Sequence, residues 1–272
     1  MEVVKSRKSV RTYDGKPLTE EDLKWFADVV DNSRNPYGIP IEYRFLNPKE
    51  FDLRSPVLVG ETLYLAAKME RVPHFEEALG YSLEEIILKA WSRGIGTVWI
   101  GGTMNREAFE SAMDLEENEI MPCVTPVGYP AEKRAARDAM LRRAVKAESR
   151  LEISEFAFEV PENDGCLSPL SEQSSALFGE ALEMVRWAPS AVNKQPWRIV
   201  IRGGQVHFYE KPGDGFVRHE TGDLQRIDVG IAMYHFVYGM TGSGREPSFG
   251  IEDPHLPVPD DWQYVATYTV AQ

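Results

Sequence analysis

Ala-Pro-Ser-Ala-Val-Asn-Lys-Gln-Pro-Trp-Arg occupies positions 188–198 of the 272-residue chain. Ahead of it Phe178, Ala181, Leu182 and Val185 recur at i, i+3, i+4 and i+7, the apolar face of a helix. Behind it Arg198-Ile-Val-Ile-Arg202 reads as a short strand. The stretch is therefore a helix-to-strand loop, stiffened where the rings of Pro189 and Pro196 fix φ. Ser190, Asn193 and Gln195 supply donors and acceptors. Such a loop suits a flat ligand with polar edges. Taken alone, it suits equally well a rigid surface loop around a buried tryptophan.

A second stretch, 6–13, reads Ser-Arg-Lys-Ser-Val-Arg-Thr-Tyr. Extended, Arg7, Ser9 and Arg11 share one side of the chain; helical, Arg7 and Arg11 are still i,i+4 neighbours. Two guanidiniums and a hydroxyl can hold a phosphate dianion through charge-assisted hydrogen bonds. The ordinary alternative is a solvated basic N-terminus.

Together the two stretches point to a family. A-P-S-x-x-N-x-Q-P-W at 188–197 resembles the signature loop of the nitroreductase superfamily, the FMN-dependent NAD(P)H oxidoreductases. R-x-S-x-R-x-Y at 7–13 is similar to that family's opening motif, which grips the FMN phosphate and ribityl chain. In the family both motifs lie near the start of one chain, and homodimers hold each FMN between subunits. Here the motifs stand near opposite ends of the sequence.

An internal repeat accounts for the displacement. Leu18-Thr-Glu-Glu matches Leu170-Ser-Glu-Gln, Phe26 matches Phe178 and Arg34 matches Arg186, each offset by 152. Pro122-Cys-Val-Thr-Pro-Val-Gly resembles Tyr264-Val-Ala-Thr-Tyr-Thr-Val with Thr125 against Thr267, an offset of 142. The first half keeps R-x-S-x-R and lacks the P-S loop. The second keeps the loop, and no arginine stands in 163–169, ahead of Leu170. The resemblance then implies an α+β, nitroreductase-like fold of two tandem α/β/α three-layer units, a pseudo-dimer in one chain. Its expected divisions are 1–150 for half one, 151–169 for a linker and 170–272 for half two. One shared FMN site would take Arg7, Lys8, Ser9 and Arg11 from half one. It would take Pro189, Ser190, Ala191, Asn193 and Gln195 from half two.

Further elements read as follows. Pro56-Val-Leu-Val is expected to be a strand and 81–91 a helix with Leu83, Ile87, Ala90 and Trp91 on one side. In Gly94-Ile-Gly-Thr-Val-Trp-Ile-Gly-Gly102 a dinucleotide fingerprint would need glycine at Trp99, and no Walker lysine follows, so both phosphate-loop readings fail. Thr97-Val-Trp-Ile reads instead as a strand ending in Gly101-Gly102, where a backbone can approach a flat ring. The resemblance implies that Ile100, Gly101 or Gly102 meets the flavin, with a backbone N–H at flavin N5; a plain glycine turn fits the residues as well. Gly128-Tyr-Pro resembles the family's lead-in to a Lys/Arg pair at the phosphate, a role implied for Lys146 and Arg150; a solvated basic helix face is the alternative. Thr19 should cap a helix whose buried face is Leu23, Phe26, Ala27 and Val30. A helix is expected over 228–238, with His235 as a packed core histidine.

Composition narrows the rest. The net charge of −13 argues against non-specific nucleic-acid binding. No apolar run approaches the ~20 residues of a membrane helix. No secretory h-region opens the sequence, Cys123 and Cys166 form no cluster, and the histidines have no metal spacing. A cytoplasmic monomer is expected, with NAD(P)H and a small electron-poor acceptor (a nitroaromatic, a quinone or similar) as partners, no metal, and no catalytic side-chain acid or base. A flavin carrier or sensor without turnover, and a flavin-less interaction module, are the other readings.

Overall fold

The computed structural model describes residues 1–132, 149–162 and 165–271. Helix starts follow the capping chemistry. The Thr19 side chain accepts from the Asp22 N–H and opens α2 (Glu20–Asp31), after a short α1 (Glu2–Ser6). Ser171 accepts from Ser174 N–H ahead of Glu172–Arg186. The described elements between these two capped helices are β1 (Glu42–Leu46), β2 (Tyr64–Glu70), α3 (Phe75–Ser92), α4 (Arg106–Ala112), β3 (Glu119–Ile120), β4 (Val124–Pro126), α5 (Ile153–Phe156) and β5 (Ala157–Glu159). The helix Glu172–Arg186 is α6. A 3-10 turn (Ala191–Asn193), β6 (Trp197–Arg202), β7 (Gln205–Glu210), β8 (Val217–Arg218), β9 (Gly222–Asp223), α7 (Leu224–Gly242), β10 (Ser248–Gly250) and β11 (Gln263–Thr269) follow it.

The α+β class is as expected. In the first sheet β2 is central: β1 pairs antiparallel on one edge, β3 and β4 on the other. The second sheet runs β10-β11-β7-β6-β5, antiparallel except for the parallel β5–β6 pair. Both sheets contribute to one hydrophobic core, in which Leu65, Leu83 and Ile87 join Leu182, Phe208, Ile231 and Phe236.

Several elements differ from the sequence reading. Pro56–Val59 is a turn rather than a strand: Leu58 N–H donates to Ser55 carbonyl, and only Val59 forms a bridge, to Thr12. The strand lies further on, at β2, whose residues are buried on both faces up to Met69, so no alternation marks it. Lys68 is buried there because Glu119 Oε2, 2.8 Å away, takes its ammonium. Helix α3 starts six residues before the expected 81. Thr97–Ile100 is extended but holds only isolated bridges, Gly96 to Gly128 and Ile100 to Val124. Part of its length is taken by the N-terminal segment instead, where Val10 N–H donates to Thr97 carbonyl at 2.9 Å. Residues 151–169, expected as a linker, contain α5 and β5; burial of Phe156, Ala157 and Val160 ties them to the second sheet.

The long helices α3 and α7 cross in direct backbone contact. A Cβ on Gly80 would sit 2.1 Å from the Ile227 carbonyl oxygen, and one on Gly230 would sit 2.2 Å from that of Glu77. Both pairs repeat with one offset, since 230 − 80 and 227 − 77 are each 150. A self-complementary contact of this kind, i to j and j to i, is what a two-fold interface between like units requires. Gly80→Ala should therefore cost about 1–3 kcal/mol, because backbone rather than a flexible side chain blocks the methyl. Gly179→Ala in α6, where a Cβ meets nothing within 4 Å, should instead gain about 0.5–1 kcal/mol. Chemical denaturation of the two variants measures both.

Candidate functional site

A cavity of about 690 Å³ opens beside the α3–α7 crossing. One wall comes from the N-terminal segment. Arg7 leaves α1 in an extended conformation, Val10 and Tyr13 turn into the core, and Arg7, Lys8, Ser9 and Arg11 line the cavity. The Arg11 carbonyl accepts from Val59 N–H, which fixes this segment to the body. A second wall is Val98–Gly102. A third is the P-S loop with Pro189, Ser190, Ala191, Val192 and Asn193, and Arg150 stands beside it. α7 closes the space with Leu224, Ile227, Asp228 and Ile231.

The cavity thus brings together Arg7, Lys8, Ser9, Arg11, Ile100, Gly101, Gly102, Arg150, Pro189, Ser190, Ala191 and Asn193. Gln195 is buried just behind the wall: its N–H donates to Ser190 Oγ at 2.9 Å and its Oε1 accepts from Leu151 N–H at 3.0 Å. Lys146 lies outside the described residues, as do the other basic residues of 133–148. At Arg150 the chain is not helical, and Arg150 donates to Asn193 Oδ1 at 3.3 Å.

The loop is held in an unusual shape. Val192 (φ 43°), Asn193 (φ 61°) and Gln195 (φ 52°) are all left-handed, a costly state for a β-branched residue. Several bonds hold it there. Asn193 N–H donates to Ser190 carbonyl, Asn193 Nδ2 to Ser149 carbonyl, and Ala191 N–H to the Asp228 carboxyl at 3.0 Å from each oxygen.

Among the described residues five cations, Lys5, Arg7, Lys8, Arg11 and Arg150, line this one space in a protein of net charge −13. Aromatic faces steady three of them: Lys8 stands over Trp91 at 5.6 Å, and Lys5 and Arg150 over Trp187 at 6.0 and 5.5 Å. Arg7 also reaches inward, 3.7 Å from Glu84 Oε1. Glu84 is fully buried in α3, yet its carboxyl is held below the ordinary range. Burial opposes its charge, but Arg7 and hydrogen bonds from His235 (3.0 Å) and Trp99 Nε1 (3.0 Å) outweigh it. His235, expected as a packed core histidine, is buried but spans Glu84 and the Met184 carbonyl.

At Gly101 the backbone is oriented by Arg106, whose Nη2 donates to the Gly101 carbonyl at 2.7 Å and whose Nη1 donates to Met121 carbonyl at 2.7 Å. In a trans peptide the following N–H, that of Gly102, points the opposite way. Among the described residues it has no backbone acceptor. A second space of about 540 Å³ adjoins Gly101 and Gly102, walled by Met104, Arg106 and the Arg218–Thr221 tip of the β8–β9 hairpin.

At the positions one repeat earlier than Leu224 and Ile227 stand His74 and Glu77. There the Tyr37 ring stacks on His74 (5.0 Å) and meets Phe249 edge-on (4.8 Å), while Arg226 bonds Glu77 at 3.0 Å. Side chains, rather than a cavity wall, meet on that side. Asp228, Glu84, Trp99 and the hairpin escaped the sequence reading. The available signal was a carboxylate set among the apolar residues of a helix's buried face, Glu84 beside Leu83 and Ile87 and Asp228 beside Ile227 and Ile231. Among the described residues no His, Cys, Asp or Glu cluster suits a metal, and no helix is long and apolar enough to cross a membrane.

Glu84 should contribute to stability above its ordinary value of 4.5, and that contribution should fade as pH falls through its depressed folded value. Glu84→Gln removes the buried charge that faces Arg7 and accepts from Trp99, and should cost about 3–5 kcal/mol at neutral pH. Denaturant titrations from pH 7 to 3 should show the gap between variant and parent closing at the acid end.

Comparison with known proteins agrees with this architecture. The structure is similar to that of a putative nitroreductase from Thermotoga maritima, with TM-score 0.61 and 21% identity, covering 99% of this chain and 91% of that one. A protein of Methanothermobacter thermautotrophicus described as "Putative NADH dehydrogenase/NAD(P)H nitroreductase" is 25% identical over 167 residues, 51% of this chain and 81% of its own. An "FMN-dependent Nitroreductase" from Clostridium difficile has 17% identity and TM-score 0.42 over 49% of this chain and 89% of that one. The family model described as "Putative TM nitroreductase" matches residues 1–240, so the chain belongs to that family of nitroreductases.

Proposed function

We propose that the chain is an FMN-dependent NAD(P)H oxidoreductase acting on a small electron-poor acceptor, and that its two halves form a single flavin site as a pseudo-dimer. The observation that carries this reading is the shared cavity: Arg7, Ser9 and Arg11 from one end of the sequence face Pro189, Ser190 and Asn193 from the other. Its volume, about 690 Å³, lies in the range of cofactor pockets.

The residues fit the cofactor. Lys8, Arg11 and Arg150, with Ser9, offer cations and a hydroxyl to a phosphate dianion. Arg7 adds charge there while neutralising Glu84, so it both binds and braces. A Cβ on Gly102 would meet no protein atom within 4 Å, and one on Gly101 only Leu224 at 3.5 Å and the Pro122 carbonyl oxygen at 3.7 Å, both ordinary contacts, so packing within the protein does not explain the glycines. A planar ring lying close to that backbone does. Leu224, Ile227 and Ile231 give such a ring an apolar bed.

When bound, FMN supplies the hydride relay between NAD(P)H and a nitroaromatic, quinone or similar acceptor. The chain's own contribution is placement and electrostatics. Arg106, through the Gly101 carbonyl, sets the Gly102 N–H as a fixed donor for the ring. The space under the β8–β9 hairpin, bordered by Arg218 and His219, leaves room for the second reactant next to those glycines.

The test is an FMN titration followed by anaerobic reduction. The parent should bind FMN and lose its yellow absorbance on adding NADH or NADPH. Arg11→Ala should bind FMN about 10- to 100-fold more weakly, the loss of one charged hydrogen-bond partner. A parent that ignores FMN, or an Arg11→Ala protein that titrates like it, would sink the reading.

A further inference from the structure

Asp228 is the one titratable side chain that α7 contributes to the cavity wall. It is 3% exposed, and its helical neighbours along the wall are Leu224, Ile227 and Ile231. Both carboxyl oxygens are 3.0 Å from the same donor, the Ala191 N–H. Among the described residues no cation forms an ion pair with it, although five line the same cavity. The charged groups near it are of its own sign, Asp223 at the start of α7 and Glu210 on β7. Arg226, two residues back and so on another face of α7, is committed to Glu77 and Glu210. At the position one repeat earlier, 78, stands alanine.

A buried carboxylate with one neutral donor and no counter-ion is unfavourable. Burial above all pushes the Asp228 carboxyl well up; the Ala191 N–H pulls it back only in part, and the weaker repulsions of Asp223 and Glu210 add to the rise. One N–H satisfies one acceptor. A protonated carboxyl has a further O–H to place, and the space in front of it is the cavity.

We propose that Asp228 is a neutral carboxylic acid in the cavity wall, accepting from Ala191 N–H and donating its own O–H to the molecule bound there. It is a positioning residue for the ligand: it ties the P-S loop to α7 and offers a directional donor to a carbonyl or ring nitrogen. Its position on α7 favours the ring over the phosphate, because Leu224, one turn earlier, packs 3.5 Å from a Cβ placed on Gly101, while the cationic residues 5–11 belong to another wall. This inference rests on the flavin reading for the identity of the ligand.

Infrared difference spectroscopy with FMN as the probe tests it. At neutral pH the free protein should show a protonated-carboxyl C=O band that is missing in Asp228→Asn, and added FMN should shift that band. Asp228→Asn keeps an acceptor for Ala191 and a neutral donor, so its FMN dissociation constant should stay within about threefold of the parent's. Asp228→Leu removes both and should weaken binding about tenfold. No such band in the free protein would overturn the neutral acid. A band that FMN leaves unmoved would reduce Asp228 to a loop anchor and overturn the contact. A parent that binds no FMN sinks the flavin reading instead, and the band in the free protein still decides the protonation state.

Discussion

The crossing of α3 and α7 at Gly80 and Gly230 is the constraint on which the rest depends. Glycine at both positions lets the two backbones touch, and the contact repeats with one offset. Because the helices meet there, Leu224, Ile227, Asp228 and Ile231 of α7 become a wall for residues supplied by the first half. Separate the helices by one methyl, and the loop at 189–193 loses its register against Arg7, Ser9 and Arg11. The cavity is a consequence of packing that no residue of either sequence motif makes.

Electrostatics then divides the two ends of that cavity. Among the described residues an acidic chain gathers five cations around one space and steadies three of them on tryptophan faces, with Lys5 also paired to Glu183 at 3.4 Å. Glu84 works from the interior: fixed by His235 and Trp99, it holds Arg7 at the cavity edge. Away from the cations the wall is apolar, and among the described residues Asp228 stands in it without a counter-ion. In the proposed FMN site this gradient matches a ligand with a dianion at one end and an uncharged ring at the other. On the side one repeat away, Tyr37, His74 and Phe249 pack on one another, and Arg226 pairs with Glu77. Side chains fill that position.

Much of this was legible where chemistry is local. Thr19 read as a cap because its hydroxyl serves the helix it precedes, and Ser171, its match in the repeat, caps the corresponding helix. The P-S loop read as a helix-to-strand connection because its flanks keep strict periods. What escaped notice depends on burial from two sides. β2 shows no alternation because it faces protein on both faces, and its Lys68 reads as a surface residue until Glu119 is placed beside it. The start of α3 was hidden by a left-handed residue at His74 (φ 70°), which carries no capping side chain. Gly80 and Gly230 look like weak points of a helix when read singly, and Glu84 and Asp228 look like errors of an apolar pattern. Gly80, Gly230 and Glu84 make sense only against partners about 150 positions away in the sequence, and Asp228 only against Ala191 on the P-S loop.

The most direct test of the account is the binding stoichiometry of FMN measured by calorimetric titration of the intact chain. One site per chain, lost when the cations of 7–11 are neutralised, is the expected result. Two equivalent sites per chain, or a site indifferent to those cations, would contradict a single pocket built from both halves.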